Sequence, residues 1–158
     1  MSNTSVPITA SVVSNSILYL ANTEGVQISP MKLQKLLYFV YREHLKNTRN
    51  PLFPERFEVW KYGPVISSVY DEFKNYKDKP IKDYSRDCNG KGYMITEGSF
   101  PAFQVALNKV WQKYKDFSGI TLSNITHERG SAWRKAWEGN KPLLLDDDIL
   151  HDDTEGIN

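Results

Sequence analysis

A helix-dominated α+β domain, mainly α with a small antiparallel β element, is the fold class this sequence predicts. Three observations carry that reading. Apolar residues recur at i, i+3, i+4 and i+7 in long stretches that begin with residues able to cap a helix. One short run, Phe57 to Tyr62, alternates weakly and is aromatic or β-branched at Phe57, Val59, Trp60 and Tyr62, as a strand requires. Its 158 residues, 40% of them hydrophobic, suffice for one ordinary core that buries roughly 70% of the unfolded surface. No internal repeat or low-complexity linker divides the chain. A single compact domain over residues 9–150 is therefore expected, with flexible ends at 1–8 and at the acidic stretch 151–158.

Taken in order, the first helix runs from about Thr9, a good N-cap, to Asn22, with Val13, Ile17 and Leu20 on one face. Gly25 ends it, being free to take positive φ. The second helix opens on Ser29 as N-cap and Pro30 in the first turn, where a missing N–H costs nothing. Leu33, Leu36, Leu37, Val40, Tyr41 and Leu45 form its apolar stripe, and Tyr38 and Phe39 widen it. That width predicts a central helix covered on most sides. Pro51 and Pro54 bracket a loop before the Phe57–Tyr62 strand.

Gly63-Pro64 is expected to turn the chain straight into a third helix, with Pro64 at its first position and Val65, Ile66, Val69, Tyr70 and Phe73 on the apolar face. Residues 77–98 are irregular, and Ile81–Tyr84 with Tyr93–Thr96 can pair as short strands around Asn89-Gly90-Lys91-Gly92. A long helix from about Ser99 to Asp116 carries Phe103, Leu107, Val110, Trp111 and Tyr114. Thr121–Glu128 and Ser131–Trp137 read as two short helices, and Leu143–Leu145 as an apolar clip before the acidic end.

Charge and hydropathy exclude several function classes. The net charge of +1 lacks the basic excess that duplex binding needs, so no specific nucleic acid is expected as partner. Mean hydropathy is −0.52 and no apolar run approaches the ~18 residues of a membrane span. The polar start, Met1 to Pro7, has no basic n-region, and the single cysteine, Cys88, forms no internal disulfide. A cytoplasmic protein fits these features. Asp146, Asp147, Asp148, Asp152, Asp153 and Glu155 follow Lys141 with no further Lys or Arg. They read as a solvated end; the sharper alternatives are an acidic arm for a basic partner or a protease handle.

No catalytic constellation stands out. The chain has no Gly-x-Ser-x-Gly elbow and no phosphate loop. The lone thiol has no His or Cys at ligand spacing, so no metal and no cofactor are expected. Of three histidines, His44 suits a helix C-terminus and His151 lies in the tail. His127 stands in Thr126-His127-x-x-Gly130-Ser131-x-Trp133 between two short helices. It reads as a packed imidazole bonded to neighbouring backbone at a corner, with a general acid–base role as the alternative. Aromatic residues are 13% of the chain. Most fall on core stripes, but Trp60, Tyr62, Trp133 and Trp137 leave core packing and partner contact both open. In a strand Trp60 and Tyr62 share one side and Lys61 faces the other.

The order and spacing of these pieces resemble one family, the Panacea domain of SocA-like antitoxins, also described as GepA phage-associated proteins. The resemblance rests on Leu33-Gln34-Lys35-Leu36-Leu37-Tyr38, Leu52-Phe53, Trp60 through Gly63, Pro64 and Val65, Val69-Tyr70 and Phe73. Phe117-Ser118-Gly119, Leu122-Ser123, Thr126-His127 and Ser131-Ala132-Trp133 complete it. Val59 departs from it, since relatives often carry a small residue before the tryptophan. The resemblance implies a helical fold with a small β element and no enzymatic activity. It implies an antitoxin of a bacterial or phage toxin–antitoxin system that neutralises a cognate protein toxin, encoded by the adjacent gene, through direct binding. No appended helix-turn-helix is implied. Alternatives are a phage or prophage adaptor or inhibitor of a host protein, with a cellular protease as partner, and an unrecognised enzyme using His127. The residues expected at the partner surface are Trp60, Lys61 and Tyr62 of the strand with Lys32 and Lys35, taken as exposed on helix two. Leu33, Leu36, Leu37, Tyr38, Gly63, Pro64, Val65, His127 and Trp133 are expected to be structural.

Overall fold

The computed structural model describes residues 7–156, so 1–6 and 157–158, which carry part of the expected flexible ends, lie outside the described residues. Helix α1 is Ala10–Glu24, and Thr9 caps it by accepting a hydrogen bond from the Val12 amide at 3.2 Å. Gly25 closes it at φ 70°, donating its N–H to the carbonyls of Ala21 and Asn22. Helix α2 is Pro30–Thr48, with Ser29 accepting from the Lys32 amide and Pro30 in the first turn. The expected stripe is buried throughout: Leu33, Leu36, Leu37, Val40, Tyr41 and Leu45 are each at most 4% exposed. Each such side chain contributes about 1.5–3 kcal/mol on burial.

The β element is a hairpin of β1, Glu58–Trp60, and β2, Gly63–Val65, joined by the two-residue turn Lys61-Tyr62. Glu58 lies opposite Val65, Val59 opposite Pro64 and Trp60 opposite Gly63. The expected direct entry of Gly63-Pro64 into a helix is thus corrected. Gly63 sits at φ 118°, far from helical backbone, and the next helix begins later. Pro64 is tolerated because β2 is an edge strand; on its other side β1 meets residues 142–144. There the Val59 amide bonds Pro142 O at 3.0 Å and the Leu144 amide bonds Phe57 O at 2.9 Å.

Helix α3, Ser67–Phe73, continues into a 3₁₀ turn at Lys74–Tyr76. Helices α4 (Pro101–Tyr114), α5 (Gly119–Thr126), α6 (Ala132–Glu138) and α7 (Asp146–Leu150) follow. Ser118 and Ser131 cap α5 and α6 through the Thr121 and Arg134 amides. Helix α7 was not expected; Asp146, Asp147 and Asp148 fall in its first turn, where carboxylates suit the helix dipole. The central helix is α2, packed chiefly on α4 and α5, with the hairpin, α1 and α7 covering other sides.

The expected strands at 81–84 and 93–96 do not form. Their backbone groups find partners other than each other: the Ile81 amide donates to Ile28 O and the Tyr84 amide to Asp83 Oδ1, and side chains of α1 hold Ser85, Tyr93 and Ile95. Asn15 donates to Ser85 O and Tyr93 O and accepts from the Ser85 amide, while Ser16 Oγ accepts from the Ile95 amide.

Within the acidic end, one carboxylate departs from the expected solvated state. Asp152 is fully buried. It accepts from Tyr38 Oη at 2.5 Å, Arg42 Nη1 at 3.1 Å and the Ala132 amide at 3.1 Å. Lys46 Nζ bonds Leu150 O and Asp153 beside it. These bonds tie residues 150–153 to α2, although the Asp153 side chain itself stays exposed.

Candidate functional site

The tip of the hairpin is fixed from below. Four side chains, from α2, α5, α6 and the corner between the last two, donate to four consecutive or near-consecutive carbonyls: Trp133 Nε1 to Trp60 O at 2.7 Å, His127 Nε2 to Lys61 O at 3.0 Å, Ser123 Oγ to Tyr62 O at 2.6 Å and Lys35 Nζ to Pro64 O at 2.9 Å. Gln34 adds a two-way bond, donating to Ile66 O at 3.1 Å and accepting from the Ile66 amide at 2.9 Å. With its carbonyls held inward, the turn projects its side chains outward. Lys61 is exposed, Tyr62 is 57% exposed and Trp60 is half-buried.

Gly63 is what allows so close a seat. A Cβ there would lie 2.7 Å from Thr126 Oγ1 and 2.8 Å from Lys35 Cε, and the φ of 118° is one that L side chains rarely adopt. Lys35 fills the space under the glycine at 1% exposure. Its ammonium has a carbonyl partner and no carboxylate, so burial pulls its pKa from 10.5 to about 7. The expected exposure of Lys35 is corrected: it is buried, and its amine holds the hairpin. The expected exposure of Lys32 is corrected too. It is 7% exposed, and its Nζ bonds the Lys115 carbonyl at the end of α4. Burial lowers its pKa, against a smaller opposing pull from Asp116. Both lysines occupy positions where a long apolar stem spans the core edge to a carbonyl.

His127 sits at the corner between α5 and α6. Its ring meets Trp133 edge-on with centroids 4.0 Å apart, and its own carbonyl accepts from Arg134 Nε at 2.9 Å and Nη2 at 2.7 Å. Burial holds its pKa below the ordinary value, assisted by the Lys35 and Arg134 charges. The neutral ring must then carry its proton on Nε2, since the Lys61 carbonyl only accepts. Its bonding partner is backbone, with no hydroxyl or thiol in that position. Among the described residues, no cluster of three or more His, Cys, Asp or Glu side chains could hold a metal ion.

Beside the tip, the hairpin, α2 and the end of α3 enclose a groove of about 520 Å³. Met31, Trp60, Lys61, Tyr62, Tyr70, Lys74 and Lys77 wall it, with Gln34 and Lys35 at its inner edge. Trp60 and Tyr70 pack edge-to-face at 4.8 Å, and Trp60 Nε1 is fixed to Glu58 Oε1 at 2.9 Å. Lys61 Nζ lies 5.5 Å from the Tyr62 ring centroid. The strand reading placed Lys61 away from Trp60 and Tyr62, but as turn residues Lys61 and Tyr62 both border the groove with Trp60. Tyr70, Lys74 and Lys77 were not singled out from sequence. Tyr70 lay on an apolar stripe, and only its 41% exposure reveals it as a wall. A larger cleft of about 690 Å³ runs along Arg129 to Glu138, but no aromatic side chain lines it.

Residues 33–134 match the family model described as Antitoxin SocA-like, Panacea domain. The chain is 41% identical over 127 residues to Antitoxin SocA of Caulobacter vibrioides (strain NA1000 / CB15N), covering 78% of this chain and 68% of that protein. No solved structure matches it. The matched span begins at the α2 stripe, takes in the hairpin and ends just past Trp133, so it contains all four donors to the hairpin carbonyls. This chain belongs to the SocA-like antitoxin family, the Panacea-domain proteins.

Proposed function

We propose that this chain is an antitoxin that neutralises a protein toxin by direct binding, with the hairpin tip as the contact surface. The observation that carries this reading is the arrest of the Trp60–Tyr62 backbone by three donors, with a fourth, Lys35, on Pro64 O; this leaves the side chains of Trp60, Lys61 and Tyr62 projecting from a fixed frame. A surface ordered before binding loses little conformational entropy when a partner arrives. Tyrosine and tryptophan supply large contact area with few rotamers to freeze, which is why such anchors dominate interface energetics. The role asked of His127 is structural, since its Nε2 proton is committed to Lys61 O. No reaction is assigned to the chain. The partner is the toxin encoded by the adjacent gene, met in the cytoplasm. A protease handle in the last residues draws no support from Asp152, which is buried.

Co-expression with that toxin tests the reading. The chain is expected to restore growth and to co-elute with the toxin on a sizing column. Persistent toxicity with no complex would refute it.

A further inference from the structure

Resting on that reading, we infer what the groove beside the hairpin recognises: an extended, acidic segment of the toxin in which carboxylates flank an apolar or aromatic side chain. Its walls combine two chemistries. Trp60, Tyr62 and Tyr70 provide three rings, of which Tyr62 is 57% and Tyr70 41% exposed. Lys61, Lys74 and Lys77 stand around them, and no Asp or Glu belongs to the lining. In a chain of net charge +1, this is a local concentration and not a reflection of composition.

The rim charges are also available. Among the described residues, no carboxylate lies within ion-pair distance of Lys61 or Lys77. Lys74 has one, Asp71 at 3.6 Å, and both side chains of that pair are more than half exposed, so water competes with it readily. Glu58, whose Oε1 accepts from Trp60 Nε1 at 2.9 Å, lies outside the lining. An incoming carboxylate would therefore meet ammonium groups without first breaking a buried pair.

Size selects the form of the ligand. A groove of about 520 Å³ falls within the ~300–1,000 Å³ of clefts that take small ligands or a few side chains. It suits a few residues of extended chain and not a whole domain face. Aromatic rings gripping one apolar side chain, with lysines on the flanking carboxylates, give both affinity and electrostatic steering of encounter.

The test uses the purified full chain, the toxin from the adjacent gene and an array of overlapping peptides covering that toxin. Lys74→Glu/Lys77→Glu reverses the rim charge, Tyr70→Ala removes a wall ring that also packs on Trp60, and Lys79→Glu, exposed but outside the lining, is the control. The double reversal is expected to weaken toxin binding about tenfold or more, with an unchanged melting temperature. Wild-type affinity should fall with added salt more steeply than that of the double reversal. Peptides that bind should contain Asp or Glu beside an apolar residue. Full affinity in the double reversal, or bound peptides lacking Asp and Glu, overturns the inference while leaving the antitoxin reading intact. Single-stranded RNA bound by the wild type and lost in the double reversal would assign the groove to nucleic acid and overturn it equally. A wild-type chain that leaves the toxin free brings down the antitoxin reading and this one with it.

Discussion

Lys35 shows how one residue's chemistry shapes the site. Its amine supports the hairpin through Pro64 O, and burial sets its pKa at about 7 against an ordinary 10.5. Between those values the unfolded chain binds a proton that the folded chain does not. Stability therefore rises with pH from about 7 to 10.5 and is flat below 7, where both states are charged. Lys35→Met removes this dependence. Relative to that variant, the wild type should gain about 2 kcal/mol between pH 7 and pH 9, read by urea unfolding at each pH. Equal pH profiles would show that the amine is solvated. Nothing in the local pattern marks Lys35 as buried. It occupies a polar letter on a helix whose stripe was legible, and only the carbonyl of a strand 29 residues away gives the amine a reason to be inside.

At the scale of elements, the hairpin and the helices beneath it form one hydrogen-bonded unit. His127→Ala leaves the Lys61 carbonyl without its donor and removes the edge contact with Trp133. It should cost about 1–3 kcal/mol in chemical denaturation and weaken partner binding by loosening the tip. Unchanged stability with binding abolished would instead point to direct participation of the imidazole. The C-terminal segment makes the same point more strongly. Asp152→Ala strands the buried guanidinium of Arg42 together with Tyr38 Oη and the Ala132 amide, so a loss of about 3–5 kcal/mol is expected. A melting temperature within a degree or two of wild type would contradict that.

Helices α1, α2 and α4 were legible because caps and periodic stripes are local signals. Thr9, Ser29 and Pro30 each take the position their chemistry favours. Strand β2 and helix α7 were not. Gly63-Pro64 resembles a helix entrance until Trp60 pairs across it, and a run of aspartates reads as solvated until Arg42 meets Asp152 from 110 residues away.

Seen whole, the molecule brings two sequence signatures, one on α2 and one on α5 and α6, to a single small hairpin. Order and spacing in the sequence marked both as belonging together, while the reason for the association is visible only in three dimensions: each supplies donors to the same backbone. The candidate surface was half legible. Trp60, Lys61 and Tyr62 do border the groove, whereas Tyr70, Lys74 and Lys77 complete it through tertiary placement of α3 and the turn after it. The central claim is that this fixed, aromatic tip binds another polypeptide. Isothermal titration of the toxin into the wild type and into Tyr62→Ala tests it most directly. Because the Tyr62 side chain is exposed and only its carbonyl is held, the variant should keep its stability within about 0.5 kcal/mol. Its affinity should fall by about 2 kcal/mol, roughly thirtyfold, as for an interface anchor. Equal dissociation constants for the two proteins would contradict the account.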